Sequence, residues 1–208
     1  TRRCISGECY TISMSSLSDE DVRALETRAN AIRQSVIEML VAAGSGHTAG
    51  PLDMADVLTL LYFHVLLHQP SEPDWPGRDR VILSNGHICP ALYATLAHAG
   101  YFPKEELLTL RKFGSRLQGH PHREALPGLE TTSGPLGSGL SQAVGMALAE
   151  RMDNPYSGRY FYCLMSDGEL QEGQSWEACM LGGKERLHNL IAIIDRNGIQ
   201  IDGYMQDV

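Results

Sequence analysis

Residues 160–195 contain the stretch that decides the fold: YFYCLM at 160–165, SDG at 166–168 and LIAIID at 190–195. Between the two apolar runs, residues 173–184 have the spacing of a helix. Strands that are apolar along their whole length are typical of a parallel sheet covered by helices on both faces. The stretch therefore predicts an α/β protein with a parallel sheet flanked by helices.

Further elements are predicted on the amino-terminal side of this unit. Ser18 and Asp21 have the pattern of a capping box, and apolar residues at helical spacing run from Val22 to Ala43 before Gly44. The remaining predicted elements are helices at 52–67, 91–99, 104–113 and 140–152 and a buried strand at 80–84. Residues 114–139 are rich in Gly, Pro, Ser and Thr, and a loop of that length is functional or disordered in most proteins.

The composition excludes several classes of protein. The chain has 17 Lys and Arg against 25 Asp and Glu, a net charge of −8, which argues against nucleic-acid binding. Its longest mostly apolar stretch, residues 57–67, is too short to cross a membrane. The five cysteines are scattered and form no C-x-x-C pair, which favours a reducing cytoplasm. We therefore expect a cytoplasmic protein that binds neither nucleic acid nor membrane.

The first residues have no apolar signal core, and Met14 is a candidate natural start. We expect residues 1–17 to be a flexible extension and residues 18–208 to form one domain.

Polar residues follow each of the three predicted strands: SNGH at 84–87, SDGE at 166–169 and DRNG at 195–198. In open α/β sheets, ligands bind beyond the carboxyl ends of the strands. The side-chain oxygens of Asp167 and Asn197, with the backbone oxygen of Ile199, suit a cation such as Mg²⁺ that also keeps phosphate oxygens as ligands. The alternative is three ordinary turns, because Asp-Gly and Asn-Gly are common turn dipeptides.

Three histidines lie in glycine-flanked loops: His47, His87 and His120. One such histidine alone is more often structural, but three together favour a site that uses imidazoles as hydrogen-bond donors or proton shuttles. The pair at 120 and 122 resembles a metal-binding pair, yet no carboxylate or cysteine cluster accompanies it.

A dinucleotide site is a second alternative. Residues 44–49, GSGHTA, fit the G-x-G-x-x-A fingerprint, but they follow a predicted helix rather than a strand. A dinucleotide-dependent oxidoreductase is therefore the weaker hypothesis.

Taken together, residues 29–208 resemble the thiamine-diphosphate-binding half of transketolases. The segments that carry the resemblance are GSGH at 44–47, LSNGH at 83–87, QGHP at 118–121, TTSGPLG at 131–137, SDGELQEG at 166–173 and IDRNGIQIDG at 194–203. The ordered set is specific, although each segment alone is weak.

The resemblance implies the diphosphate-binding domain of the thiamine-diphosphate fold and assigns roles to residues. Mg²⁺, or Ca²⁺ or Mn²⁺ in its place, would be held by Asp167, Asn197 and Ile199. His47 and His120 would be catalytic, facing the ketose donor, binding its hydroxyls and moving protons. The residues implied to bind the cofactor are His87, Gly134, Pro135, Leu136, Asp167, Gly168, Glu169 and Asn197.

The resemblance also implies an incomplete enzyme. A transketolase transfers a two-carbon ketol unit from a ketose, commonly a phosphate of the pentose phosphate pathway, to an aldose, and needs a pyrimidine-binding domain that this chain lacks. We expect the amino-terminal subunit of a split enzyme, incomplete at its carboxy terminus, in an α2β2 complex with a pyrimidine-domain subunit. Glu172 and Glu177 would lie at a subunit interface; the alternative is a solvated helix face.

Four positions depart from the family pattern. Ser166 replaces the usual glycine before Asp167, Thr48 and Ala49 replace Pro-Gly, and Asp53 replaces a small residue. Ser166 and the short length of the chain keep open a non-catalytic binding or regulatory module that retains the fold.

Overall fold

The structure is a computed structural model that describes residues 2–5, 8–11, 17–201 and 203–207, the first two segments by their backbone. Its strands are β1 (Arg2–Ile5), β2 (Glu8–Thr11), β3 (Arg80–Leu83), β4 (Phe161–Ser166), β5 (Leu190–Asp195), β6 (Ile199–Gln200) and β7 (Gly203–Tyr204). Its α-helices are α1 (Asp19–Ala43), α2 (Ala49–Asp53), α3 (Ala55–Leu60), α4 (Cys89–Ala99), α5 (Ser138–Asp153) and α6 (Gly173–Lys184).

The centre of the fold is a parallel sheet in which β4 lies between β3 and β5. Arg80 pairs with Phe161, and Phe161 pairs with Leu190. Every residue of β4 is buried. On β5, one of the two edge strands of this sheet in the described part of the chain, Ala192 and Ile194 are exposed.

Helices cover both faces of this sheet, which confirms the predicted fold class. One face, with Val81, Leu83 and Tyr162, packs in a single apolar core with residues of α1, α3 and α4. The other face packs against α5 and α6, where Cys163 and Ala147 share a second core. Alternate side chains of one strand thus enter different cores, as the two-residue repeat of a strand requires.

Helix α1 has the predicted caps. The Ser18 hydroxyl accepts a hydrogen bond from the Asp21 N–H, and Gly44 ends the helix with a left-handed φ of 64°. The buried stripe begins at Ala29 and not at Val22 as predicted, since Val22 is 39% exposed.

Two predicted helices differ from the structure. The segment 52–67 is divided into α2 and α3 at Met54 and ends in a π-helical turn, Leu61–Val65. The segment 104–113 is a 3₁₀ helix that ends at Thr109. Leu107 on this helix and Leu110 directly after it are both buried.

The first two strands pair antiparallel as a hairpin, with Cys4 opposite Cys9 in the backbone register. The flexibility expected for residues 1–17 stays a prediction, and Met14 lies outside the described residues. In the part of the chain that is described, no helix combines the length and the apolar character needed to span a bilayer.

Candidate functional site

The carboxyl ends of the three parallel strands lie side by side, as the sequence predicts. β3 leads into a short 3₁₀ turn at Gly86–Ile88, and β4 leads into another at Asp167–Gln171. Ser166 pairs with Asp195 in the register of β4 and β5. The polar residues after β4 and β5 therefore meet at one edge of the sheet.

The carboxylate of Asp167 joins the ends of β4 and β5. Its Oδ2 accepts a hydrogen bond from the Gly198 N–H at 2.8 Å, and its Oδ1 accepts one from the Gly168 N–H at 3.0 Å. The residue is 5% exposed. Two accepted bonds leave lone pairs free on both oxygens, so the carboxylate can still bind a cation.

Asn197 lies beyond β5 with an exposed side chain. Its Oδ1 accepts a hydrogen bond from the Ile199 N–H at 3.0 Å, and its Nδ2 donates to Asp195 Oδ2 at 3.3 Å. No group of three or more His, Cys, Asp or Glu side chains in the described residues is arranged to hold a metal. The oxygens of Asp167, Asn197 and Ile199 are nevertheless the ligand type that Mg²⁺ uses when phosphate and water complete its shell.

Asp53 adds a carboxylate to this edge that the sequence did not place there. Burial raises the pKa of Asp195, the hydrogen bond from Asn197 opposes this rise, and the neighbouring Asp53 and Asp167 add to it. Asp195 thus lies near two other acidic side chains, although the three are not arranged as a metal-binding group.

Glu169 is fully buried, and its carboxylate accepts hydrogen bonds from neighbouring segments. Its Oε1 accepts hydrogen bonds from the Ser84 hydroxyl and, at 2.6 Å, from the Gly137 N–H. Its Oε2 accepts one from the Ser166 N–H at 2.9 Å. Glu169 therefore fixes the position of the 131–137 loop relative to β3 and β4.

The 131–137 loop approaches the end of β3 closely. A Cβ on Gly86 would lie 2.8 Å from the Ser133 Cβ and 3.1 Å from the Gly134 nitrogen, so this contact requires glycine at position 86. A Cβ on Gly134 would have open space, and Leu136 is 39% exposed. Pro135 accepts a hydrogen bond from the Ser138 hydroxyl at 2.8 Å. The loop thus presents Gly134 and Leu136 near the sheet edge.

The three predicted histidines are brought together. The rings of His47 and His87 lie edge to face with their centroids 4.9 Å apart. Burial lowers the pKa of His87 to about 4, and the charges of His47 and His120 act in the same direction. Burial also lowers the pKa of His120, helped by the charges of Arg111 and His47. His87 and His120 are therefore neutral near pH 7.

Two residues of α4 that the sequence did not single out hold the backbone before His120. The Tyr93 hydroxyl donates to the Gln118 carbonyl at 3.0 Å, and the Cys89 thiol donates to the Gly119 carbonyl at 3.2 Å. Burial raises the pKa of Cys89 to about 12, so the thiol stays protonated and keeps its donor. No local sequence signal marks these contacts, because both join segments far apart in the chain.

The remaining predicted positions are placed as follows. Glu172 precedes α6 and Glu177 lies on it, both exposed, beside the exposed side chains of Trp176 and Met180. The interface role of the two glutamates stays a prediction. Residues 44–49 follow α1 rather than a strand, so the context of a dinucleotide fingerprint is missing.

Comparison with known families gives one match over most of the chain. The profile described as "Transketolase, thiamine diphosphate binding domain" matches residues 25–208.

Among curated relatives, the 6-deoxy-6-sulfo-D-fructose transketolase subunit SqwG of Clostridium sp. (strain MSTE9) is 47% identical over 88% of this chain and 66% of its own length. An apulose-4-phosphate transketolase subunit of Phocaeicola vulgatus is 44% identical over 90% of this chain and 66% of its own. Transketolase 2 of Escherichia coli is 45% identical over 84% of this chain and 28% of its own. The chain thus spans about two thirds of the two subunits and 28% of the longer enzyme.

Solved structures agree with this match. Transketolase from Leishmania mexicana superposes with a TM-score of 0.82 at 40% identity, covering 88% of this chain and 28% of that one. Transketolase from Campylobacter jejuni gives a TM-score of 0.82 at 40% identity, covering 88% of this chain and 30% of that one.

Proposed function

Because the chain belongs to the transketolase family through its thiamine-diphosphate-binding domain, we propose that it is the amino-terminal subunit of a split transketolase. The complete enzyme transfers a two-carbon ketol unit from a ketose, expected to be a sugar phosphate, to an aldose. It requires a second chain with the pyrimidine-binding domain. The two relatives named as transketolase subunits support this division.

The observation that carries the proposal is the hydrogen bond from the Gly198 N–H to Asp167 Oδ2, 2.8 Å long. It aligns the segments that contain Asp167, Asn197 and Ile199 at one sheet edge, where oxygen ligands for a divalent cation are needed. The glycine at 168 suits close approach of a diphosphate, because it has no Cβ to hold the ligand away from the backbone.

These residues fit the cofactor that the family implies. Asp167, Asn197 and the Ile199 carbonyl would hold Mg²⁺, and Gly168 and His87 would contact the diphosphate. Gly134, Pro135 and Leu136 would lie beside the rings. When bound, thiamine diphosphate supplies the electron sink that cleavage of the ketose carbon–carbon bond needs.

The histidines form hydrogen bonds with the ligands and transfer protons. A neutral imidazole offers one N–H donor and one acceptor nitrogen, so a neutral His120 can accept the proton of a sugar hydroxyl. His47 is exposed beside it and provides a second imidazole for the ketose. His87 is half-buried, and its neutral imidazole would donate an N–H to the diphosphate without carrying a charge. Glu169 is a positioning residue, since it holds the Gly137 backbone and touches no open space.

We further propose an α2β2 assembly in the cytoplasm, with Glu172 and Glu177 at a subunit interface. Both glutamates are exposed beside Trp176 and Met180, and an exposed apolar side chain next to charges is typical of an interface rim.

The first test is cofactor binding by the chain together with its pyrimidine-domain partner. Calorimetry should show that thiamine diphosphate binds the pair only with Mg²⁺ present. Asp167→Asn should weaken that binding at least tenfold, because an amide is a poorer cation ligand than a carboxylate. Asp74→Asn, which removes an exposed carboxylate from the turn before β3, is the matched control and should leave binding unchanged.

The second test is ketol transfer by the loaded pair, with no transfer by either chain alone. Magnesium-dependent cofactor binding without transfer from any ketose would favour the non-catalytic module instead. Equal cofactor binding by wild type and Asp167→Asn would contradict the metal site.

A further inference from the structure

Gln174 reaches the 131–137 loop from a helix outside it. Its Nε2 donates a hydrogen bond to the Leu136 carbonyl at 2.9 Å. Gln174 is the second residue of α6, and its side chain is half-buried. Leu136 is the last of the three residues proposed to lie beside the cofactor rings. A side chain that belongs to no predicted site is therefore bonded to the backbone of a predicted one.

Side-chain packing holds this part of the loop weakly. A Cβ on Gly134 would meet nothing within 4 Å, and Leu136 is 39% exposed. The position of the loop beside the rings therefore depends on its backbone hydrogen bonds. One of them is the bond from the Ser138 hydroxyl to the Pro135 carbonyl, 2.8 Å long.

The peptide group between Leu136 and Gly137 is held at both of its polar atoms by side chains. Its N–H donates to Glu169 Oε1 at 2.6 Å, and its carbonyl accepts the bond from Gln174. Because a peptide group is planar, bonds at its two opposite edges fix its rotation. That rotation sets ψ of Leu136 and φ of Gly137, which is 79°. The two side chains thus determine how the backbone leaves Leu136.

Both of these side chains come from one short segment that packs against the peptide. The Ser175 hydroxyl donates to the Glu169 carbonyl at 2.7 Å, and Ser175 is fully buried. A Cβ on Gly137 would lie 2.7 Å from the Glu172 Cβ and 3.0 Å from the Ser175 Oγ. The start of α6 is therefore in direct contact with the peptide that Gln174 holds.

We propose that Gln174 is a positioning residue for the ring end of the bound cofactor, acting through the Leu136–Gly137 peptide. The role rests on the proposed function. The diphosphate end is held elsewhere, because Asp167 bonds to the segment that follows β5. Loss of the bond from Gln174 therefore weakens the contacts with the rings and leaves the binding of diphosphate and Mg²⁺ unchanged.

The first test compares two ligands of the chain paired with its pyrimidine-domain partner, in the presence of Mg²⁺. The ligands are thiamine diphosphate and inorganic diphosphate, which has no rings. Gln174→Met keeps the length of the side chain and removes its donor. Calorimetry should show at least fivefold weaker binding of thiamine diphosphate by this variant and unchanged binding of inorganic diphosphate.

Gln142→Met makes the same change at a half-buried position on α5 and should bind both ligands like the wild type. Equal weakening of both ligands by Gln174→Met would mean that Gln174 has only a structural role. Unchanged binding of thiamine diphosphate by this variant would contradict the proposal directly.

The second test uses the full chain alone and needs no cofactor. Hydrogen exchange followed by mass spectrometry should be at least tenfold faster over residues 131–137 in Gln174→Met, with unchanged exchange in β4. Unchanged exchange over 131–137, or faster exchange throughout the chain, overturns the proposal. If the pair binds no thiamine diphosphate at all, the proposed function fails, and the exchange experiment still decides whether Gln174 holds the peptide.

Discussion

Glu169 Oε1 accepts a hydrogen bond from the Gly137 N–H at 2.6 Å, although the two residues belong to separate segments that meet only in the folded chain. The same carboxylate accepts hydrogen bonds from Ser84 and Ser166, and the residue has no exposed surface. One buried side chain thus joins the start of α5, the end of β3 and the end of β4.

Replacing Glu169 with Gln should therefore destabilise the fold. The amide NH₂ would face an N–H or hydroxyl donor, and we expect the free energy of unfolding to fall by about 3 kcal/mol. Urea unfolding measures the loss. Glu177→Gln on the exposed face of α6 is the control and should change stability by less than about 0.5 kcal/mol. Equal effects of the two substitutions would contradict the role assigned to Glu169.

Gly139 allows α5 to contact the end of β3. A Cβ at position 139 would lie 2.4 Å from the Ser84 Cβ and 2.5 Å from its Cα. We expect Gly139→Ala to lower the free energy of unfolding by about 2 kcal/mol, since backbone would have to move.

Gly145 is the matched control in the same helix. A Cβ there meets nothing within 4 Å, so Gly145→Ala should raise stability by about 1 kcal/mol through helix propensity. Thermal unfolding of both variants measures the contrast, and a stabilising Gly139→Ala would show that α5 does not press against Ser84.

The buried pair of Arg78 and Glu130 anchors the long loop after His120. Both side chains are less than 10% exposed, and Arg80 reaches the second oxygen of Glu130 at 3.2 Å. We expect Glu130→Gln to cost about 4 kcal/mol, because it leaves a buried guanidinium without its counter-charge. Glu106→Gln, which breaks the more exposed pair with Arg116, should cost about 1 kcal/mol at most. Chemical denaturation of the two variants distinguishes these costs.

His87 should give the stability of the protein a pH dependence. Its pKa in the folded chain is about 4, below the ordinary value of 6.5, so protonation opposes folding. Its contribution to stability is complete above about pH 6.5 and is lost as the pH falls toward 4. Histidine NMR titration measures the pKa directly.

The same titration can separate the causes of the shift. Burial outweighs the charge of His47, so His47→Gln should raise the pKa of His87 only part of the way to its ordinary value. A complete return to that value would mean that the neighbouring charge, not burial, lowers it.

The sequence predicted well those elements whose signals are local. β5 and α6 have the predicted bounds, because a continuous apolar run and a complete helical repeat need no knowledge of the rest of the fold. The meeting of Asp167 with the segment after β5 was also predictable, since parallel strands end at one edge. The roles of these residues toward cofactor and substrate stay predictions.

Other features depend on contacts between distant segments. The predicted helix over 104–113 ends early because buried Leu110 and Leu117 impose a turn at Arg111, which no local pattern marks. The buried role of Glu169 did have a signal, the Ser-x-x-Glu spacing from Ser166 that is typical of a capping box.

The central strand β4 has one partner that is near in sequence and one that is distant. Its pairing with β5 closes only the segment that contains α6, whereas its pairing with β3 must enclose the long loop and α5 as well. Closing a longer segment costs more chain entropy before any contact compensates for it. We therefore expect β4, α6 and β5 to assemble first during folding, so that the amino-terminal layer docks onto a surface that already carries Asp167.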